Sequence, residues 1–276
     1  MLRSECLTEH CGADVRVPEI VLGFLLATAL WALFGVLNLP DAAAAWLHKW
    51  QTLVGALAAA TVASIAIYFA VRNTTLAIRH AEDLETRRRT HKHAALRALL
   101  PDALANILNY SDQSSCQLVA LLNSFSGGQL PAQTVPMNLA QALPSETLRT
   151  LADFIEYSDM ADVGLVEAIV ALIQIHEARL RDVVTANHNP QAGRLVLPTV
   201  IEERIIDAAS IYAGAAALFE YARRQQDHMP QTVSWDEVTT ALSLMHFWDH
   251  EYPNLYAILA ARKNHTSGPL DKLMKR

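Results

Sequence analysis

The residues best suited to chemistry lie close together near the C-terminus, where two histidines alternate with acidic side chains. His246 and His250 are four positions apart, and Asp249 and Glu251 flank the second histidine. On a helix, this spacing would place both imidazoles on one face, one turn apart. Two imidazoles and a carboxylate are a common ligand set for zinc. The candidate metal ligands are therefore His246, His250 and Asp249, with Glu251 as the alternative carboxylate.

A structural interpretation explains the same stretch without a metal. Pro253 restricts the residue before it and so favours a helix end at this point. His250 would then lie near the unpaired carbonyl groups of the last helical turn, where a positive charge is stabilising. We favour this structural interpretation over a metal site.

The sequence contains none of the common catalytic or cofactor signatures. It has no phosphate-binding glycine loop, no dinucleotide-binding glycine pattern, no nucleophile elbow and no His-Glu-x-x-His helix. It also lacks the paired Glu-x-x-His segments of di-iron helical bundles. We therefore predict no cofactor. Whether the protein is an enzyme stays open, with a non-enzymatic role favoured.

The chain is unusually apolar, which predicts that some of its helices lie in a membrane. Of its 276 residues, 52% are hydrophobic and 18% charged, whereas roughly 25% charged is normal for soluble domains. Residues 20–39 and 50–71 carry no charged side chain, and each run is long enough to cross ~30 Å of hydrocarbon as a helix. The net charge of −6 argues against a nucleic-acid partner.

A cleaved secretory signal is the alternative interpretation of the first apolar run. Such a signal needs a positively charged leading segment, yet residues 1–19 contain two arginines against four acidic residues. The alanines at 42–45 could mimic a cleavage site. The charge and the length of the run both favour a retained transmembrane helix.

The two runs together predict a transmembrane hairpin in the lipid bilayer. Gly55, Ala59 and Ala63 recur every four residues, which permits close helix packing within the hairpin or, alternatively, in a homo-oligomer. The connection between the spans offers only Lys49, whereas six lysines and arginines follow the second span by residue 92. Because basic residues flank membrane spans on the cytoplasmic side, both termini are predicted to be cytoplasmic.

Beyond the hairpin the apolar periodicity is helical, and the predicted fold class is all-α. The clearest stripe runs from Val163 to Val183, and Ser234 with Glu237 forms a capping box. On the stripe helix, His176 and Arg179 are assigned to the solvated face. The predicted organisation is a tail at 1–17; a transmembrane hairpin at 18–71 with spans at about 18–39 and 50–71; a polar helical stalk at 72–100; a cytoplasmic helical bundle at 101–264, whose first helix follows Pro101; and a flexible tail at 265–276.

Two short segments resemble a group of uncharacterised two-span bacterial inner-membrane proteins. The resemblance covers roughly the first 110 residues, and the group has no established activity. It implies a bacterial inner-membrane location and a multi-pass topology, and it implies no chemistry. The segments that carry it are His48-Lys49-Trp50-Gln51-Thr52-Leu53 with Gly55, and Arg97-Ala98-Leu99-Leu100-Pro101-Asp102-Ala103-Leu104.

Three function classes follow from the sequence. The leading hypothesis is a membrane-tethered helical interaction or sensing module, whose cytoplasmic domain binds a protein partner. The alternatives are a metal-dependent membrane-bound enzyme that uses His246, His250 and Asp249, and a small oligomeric channel. The basic run at 87–92 is interpreted as a solvated helix face, with lipid headgroup binding as the alternative.

Overall fold

A computed structural model describes residues 41–139, 142–158, 163–189 and 195–274. The predicted tail at 1–17 and the first predicted span at about 18–39 lie outside these residues. The chain divides into two compact units, Met1–Ala81 and Glu82–Arg276. They are called the N-terminal unit and the C-terminal unit below.

Regular structure in the described residues is helical, which confirms the all-α prediction. Outside the helices, one isolated β-bridge pairs Ser126 with Gln129. The helices are α1 (Asp41–Leu122), α2 (Ser145–Tyr157), α3 (Gly164–His188), α4 (Pro198–Ala217), α5 (Phe219–Ala222), α6 (Trp235–Leu244), α7 (Pro253–His265) and α8 (Asp271–Met274).

Helix α1 is 82 residues long and continues through Pro101, so the prediction of a new helix after this proline is wrong. A proline inside a helix removes a backbone hydrogen bond and costs roughly 3 kcal/mol. The neighbouring Leu100 and Leu104 are both 0% exposed, and burial of a leucine contributes roughly 1.5–3 kcal/mol. Packing of these two side chains offsets the cost of the proline.

Two helical segments of the described chain, Ala59–Leu122 and Pro198–Ala222, are by length and composition able to cross a membrane. The apolar stretch of the second is 72% buried inside the protein, so its hydrophobicity belongs to the core. The apolar stretch of the first is 0% buried. Helix α1 therefore presents apolar surface that the described residues do not cover.

Helix α4 is the centre of the C-terminal unit, where it contacts α3, α6 and α7. Ile201 and Ile205 on this helix are 0% exposed. Gly214 permits a close approach to α3, because a Cβ atom there would lie only 2.9 Å from Cγ1 of Ile169. The core of the unit forms around this helix.

Local sequence signals predict several elements correctly. The stripe that begins at Val163 forms helix α3, and Val166, Ile169 and Ile173 on it are buried. The predicted capping box is present at the start of α6, where the Glu237 backbone N–H donates to Ser234 Oγ at 3.2 Å. Both signals depend only on residues within one helix.

The described part of the C-terminal segment, which the sequence predicts as a flexible tail from residue 265, is packed. Leu270 is 1% exposed, and Trp235 Nε1 donates a hydrogen bond to the Thr266 carbonyl at 2.9 Å. A Cβ atom on Gly268 would lie 2.8 Å from the Val233 carbonyl oxygen. The missing side chain of Gly268 therefore allows this segment to lie against the loop before α6.

The C-terminal unit begins inside the segment that is predicted as a stalk. Lys92 Nζ lies 3.9 Å from the centroid of the Tyr157 ring, and Leu96 is 7% exposed. Arg97 Nε donates to the Tyr221 carbonyl at 2.9 Å. These contacts connect the second half of the predicted stalk to the helical unit.

We expect an isolated fragment Glu82–Arg276 to be soluble, helical by circular dichroism and cooperative in thermal unfolding, as single domains usually are. A shorter fragment, 97–276, lacks Lys92 and Leu96 and should unfold at a lower temperature. Aggregation of the longer fragment would contradict the prediction of an autonomous unit. Equal unfolding midpoints would contradict a structural role for residues 82–96.

Candidate functional site

The predicted metal ligands lie beyond the end of a helix rather than on one helical face. Helix α6 ends at Leu244, and His246 has a φ of 66°, in the left-handed region. His246, Asp249 and His250 are all exposed. No group of three or more histidine, cysteine or acidic side chains within the described residues could hold a metal ion. The helical geometry on which the metal prediction relied is therefore wrong.

Three arginine side chains surround one carboxylate of the C-terminal unit, Asp207 of helix α4. Arg179 Nη1 donates to Asp207 Oδ2 at 2.7 Å, and Arg262 Nη1 donates to Oδ1 at 2.9 Å. Arg204 Nη1, from the same helix as the carboxylate, lies 3.1 Å from Oδ2. Together with Glu203, these residues form the Asp207 cluster, which connects helices α3, α4 and α7.

Because the Asp207 cluster is largely buried, each of its charges needs an opposite charge nearby to remain stable. The side chains of Asp207 and Arg204 are only 5% and 9% exposed, and a buried charge is costly unless an opposite charge compensates it. Burial lowers the pKa of Arg204, and the nearby Asp207 opposes this effect. Glu203 Oε2 accepts a further hydrogen bond from Arg204 Nη2 at 2.8 Å. The guanidinium group therefore stays charged.

A cleft of about 610 Å³ opens beside the Asp207 cluster, within the ~300–1,000 Å³ range of small-molecule sites. Its charged part is lined by Arg179 and Arg262, whose side chains are 45% and 29% exposed, and by the carboxylates Glu203 and Asp207. The rest of the lining is largely apolar and comes from α3, α7, the start of α6 and the C-terminal segment. Its apolar residues include Leu172, Ile175, Trp235, Ile258, Pro269 and Leu273.

The chemistry of this cleft suits binding better than proton transfer. Its two carboxylates, Glu203 and Asp207, are both engaged by arginines. A carboxylate in such pairs holds cations in place and is poorly placed to accept a proton from a substrate. The half-exposed Arg179 keeps donor groups available to an anion.

Sequence reasoning missed this site. It assigned Arg179 and His176 to a solvated helix face, whereas Arg179 reaches Asp207 and His176 is 0% exposed. A signal was present in helix α4, where Glu202, Arg204 and Asp207 interrupt an apolar sequence. Charged residues within an apolar helix require partners, and that requirement could have been stated from the sequence.

A second polar group lies in the core between α1 and α3. His176 Nε2 and Ser114 Oγ are hydrogen-bonded at 2.9 Å, and the Tyr110 ring meets the imidazole edge-on at a centroid distance of 6.1 Å. Burial lowers the pKa of His176 to about 4, and it raises the pKa of Tyr110. The imidazole is therefore neutral near pH 7, and its burial suits a structural role.

Compared with protein families, curated proteins and solved structures, the chain matches none of them. The resemblance of the first 110 residues to two-span membrane proteins therefore stays a prediction from short motifs. The fold and the site define a class of protein. It is an all-α protein whose C-terminal unit carries a cleft lined by paired arginines and carboxylates on one part and mainly by apolar side chains on the rest.

Asp207→Asn should destabilise the C-terminal unit, because it leaves the buried Arg204 without its main counter-ion. Removal of one partner of a buried ion pair costs about 3 kcal/mol, which corresponds to a fall of roughly 6–12 °C in the unfolding midpoint. Asp236→Asn is the matched control, since this carboxylate is 85% exposed in its pair with Lys263. Thermal unfolding of the full chain should show a clearly smaller shift for the control.

His176 should make the stability of the C-terminal unit depend on pH. Its folded pKa of about 4 lies below the ordinary value of 6.5, so the unfolded chain binds the proton first as the pH falls. Stability is then complete above pH 6.5 and decreases by about 3 kcal/mol towards pH 4. His176→Gln should remove this part of the pH dependence. His250→Gln, at a histidine 79% exposed, should leave it unchanged.

Proposed function

We propose that the protein is a membrane-tethered helical interaction or sensing module. In this proposal a transmembrane hairpin at residues 18–71, with spans at about 18–39 and 50–71, anchors the chain in the bacterial inner membrane. Both termini are cytoplasmic, and the helical bundle at 101–264 acts on the cytoplasmic side. The C-terminal unit supplies the binding function.

The observation that carries the proposal is the exposed apolar surface of helix α1 in the N-terminal unit. Val62, Ile65 and Ile67 are 48%, 40% and 64% exposed, and Tyr68 and Val71 are 62% and 60% exposed. A helix that is apolar on all sides is stable when it is buried in a protein or in lipid. Insertion into a bilayer would remove this surface from water.

The charge pattern along α1 supports the proposed orientation. The residues from Ala59 to Val71 include no lysine, arginine or acidic side chain, and Arg72 follows at once. Arg79 and the basic run at 87–92 add further positive charge on the same side. Such an excess of basic residues next to a span favours the cytoplasmic side.

The hydroxyl group of Ser64 in the apolar stretch favours an anchor over a channel. Ser64 Oγ donates to the Ala60 carbonyl at 2.7 Å, so this hydroxyl is satisfied within its own helix. Just beyond the stretch, Thr74 Oγ1 makes the equivalent bond to the Ala70 carbonyl at 2.8 Å. Hydroxyl groups that bond their own helix offer little to a hydrated pore.

The test combines membrane extraction with reporters at both ends of the chain. The wild-type protein should resist alkaline extraction, and a reporter active only in the cytoplasm should work before Met1 and after Arg276. Val62→Lys with Ile65→Lys should lower the extraction-resistant fraction or the activity of the C-terminal reporter. Each lysine costs about 2.5–3.5 kcal/mol at the centre of a span.

The matched control is Leu84→Lys with Leu99→Lys, at positions 53% and 57% exposed in the C-terminal unit. This variant should behave as the wild type in both assays. Complete extraction of the wild type, or reporter activity at one end only, would contradict the hairpin. If the two double variants gave the same extraction-resistant fraction and the same reporter activity, a span at 50–71 would be contradicted.

A further inference from the structure

We propose that the cleft beside the Asp207 cluster binds a small monoanionic amphiphile. The ligand's carboxylate would accept hydrogen bonds from Arg179 and Arg262. The ligand's apolar body would lie against Leu172, Ile175 and Ile258. This ligand class goes beyond membrane tethering, and it does not rest on it, because the cleft lies wholly in the C-terminal unit.

The charge balance of the cluster favours a single negative charge on the ligand. The cations are Arg179, Arg204 and Arg262, and the anions are Glu203 and Asp207. The cluster therefore has an excess of one positive charge. A monoanion would neutralise this excess, whereas a polyphosphate would bring more negative charge than the cluster balances.

Arg179 is the residue best placed to receive the anion. Its Nη1 atom donates a hydrogen bond to Asp207. Its Nε and Nη2 atoms have no hydrogen-bond partner among the described residues. Its side chain is 45% exposed at the cleft. A guanidinium group offers five N–H donors in a planar fork that matches a carboxylate. The group can therefore hold Asp207 and a ligand at the same time.

The apolar part of the lining defines the rest of the ligand. The Trp235 N–H donates to the Thr266 carbonyl, so the ring can offer apolar surface without leaving its donor unpaired. Ile258 and Leu273 extend this surface along α7 and α8. The volume of about 610 Å³ accommodates a hydrocarbon or aromatic body of small-molecule size.

The charged part of the cleft is held in place before any ligand binds. Asp207 accepts hydrogen bonds from both Arg179 and Arg262, which restricts two long and otherwise flexible side chains. Because these side chains are already restricted, ligand binding costs less of their conformational entropy. The cluster therefore acts as a preformed receptor for an anionic head.

The test measures binding to the full-length protein in an uncharged detergent by isothermal titration calorimetry, with detergent alone as the blank. The probes share one apolar body and differ in the head: phenylbutyrate, the neutral phenylbutyramide and the cationic phenylbutylamine. We expect saturable binding of the carboxylate and at least roughly tenfold weaker binding of the other two, since charged hydrogen bonds have that worth. Octanoate, a lipid-derived acid, should also bind, and its affinity relative to phenylbutyrate distinguishes a lipid source from a soluble aromatic one.

Arg179→Gln should weaken phenylbutyrate binding roughly tenfold or more. The matched control is Arg181→Gln, because Arg181 is an exposed arginine on the same helix whose side chain, among the described residues, bonds only the Glu177 carbonyl. The control should keep its affinity within about twofold. A second variant, Leu273→Glu, leaves the Asp207 cluster intact and should also abolish binding, because it adds a negative charge to the apolar lining.

Three outcomes would overturn the proposal. They are no saturable binding of either acid, equal binding of the acid and the amide, and wild-type affinity in Arg179→Gln. If Arg179→Gln does not fold, the proposal is tested by two other measurements. They are the comparison of the three head groups on the wild type and the affinity of the Leu273→Glu variant for phenylbutyrate. None of these results depends on whether residues 18–71 insert into a membrane, so failure here is distinguishable from failure of the proposed function.

Discussion

The C-terminal unit depends on the contact between one buried carboxylate and the arginines of three helices. Asp207 and Arg204 are nearly shielded from solvent, so each buried charge requires an opposite charge beside it. Arg179 from α3 and Arg262 from α7 extend to the same carboxylate. Both of these arginines also line the cleft. The cleft and the cluster are thus two aspects of one packing arrangement.

Helix α1 uses two different apolar patterns along its length. In the C-terminal unit it buries one stripe, which includes Leu100, Leu104 and Ile107 at 0% exposure. In the N-terminal unit its apolar side chains, such as Val62 and Ile67, are 48% and 64% exposed. A single stripe is the pattern of a helix that packs on a protein core, and apolar residues on all sides suit lipid. The sequence of one helix thus changes from apolar residues on all sides to a single apolar stripe that packs on a core.

Features that depend on residues close together in the sequence could be predicted, whereas features that depend on distant residues could not. The all-α class, the stripe of α3 and the capping box at Ser234 depend on residues within a few positions, and they are confirmed. The helix break at Pro101 and the helical position of His246 were wrong, because tertiary packing and a left-handed turn decide them. The Asp207 cluster joins residues 28 and 55 positions apart. The charges on α4 indicated that partners were needed, but no local pattern identifies them.

The charges of the cluster differ in what they contribute. Arg204 is so buried that loss of its pairing with Asp207 should cost stability. Arg179 is 45% exposed, and ion pairs with that much solvent contribute little to stability, about 0–1 kcal/mol. Buried ionic groups also rarely stabilise more than well-packed apolar residues of the same volume would. The main physical consequence of Arg179 is therefore a positive charge at the edge of the cleft, and in the ligand proposal this charge receives the anionic head.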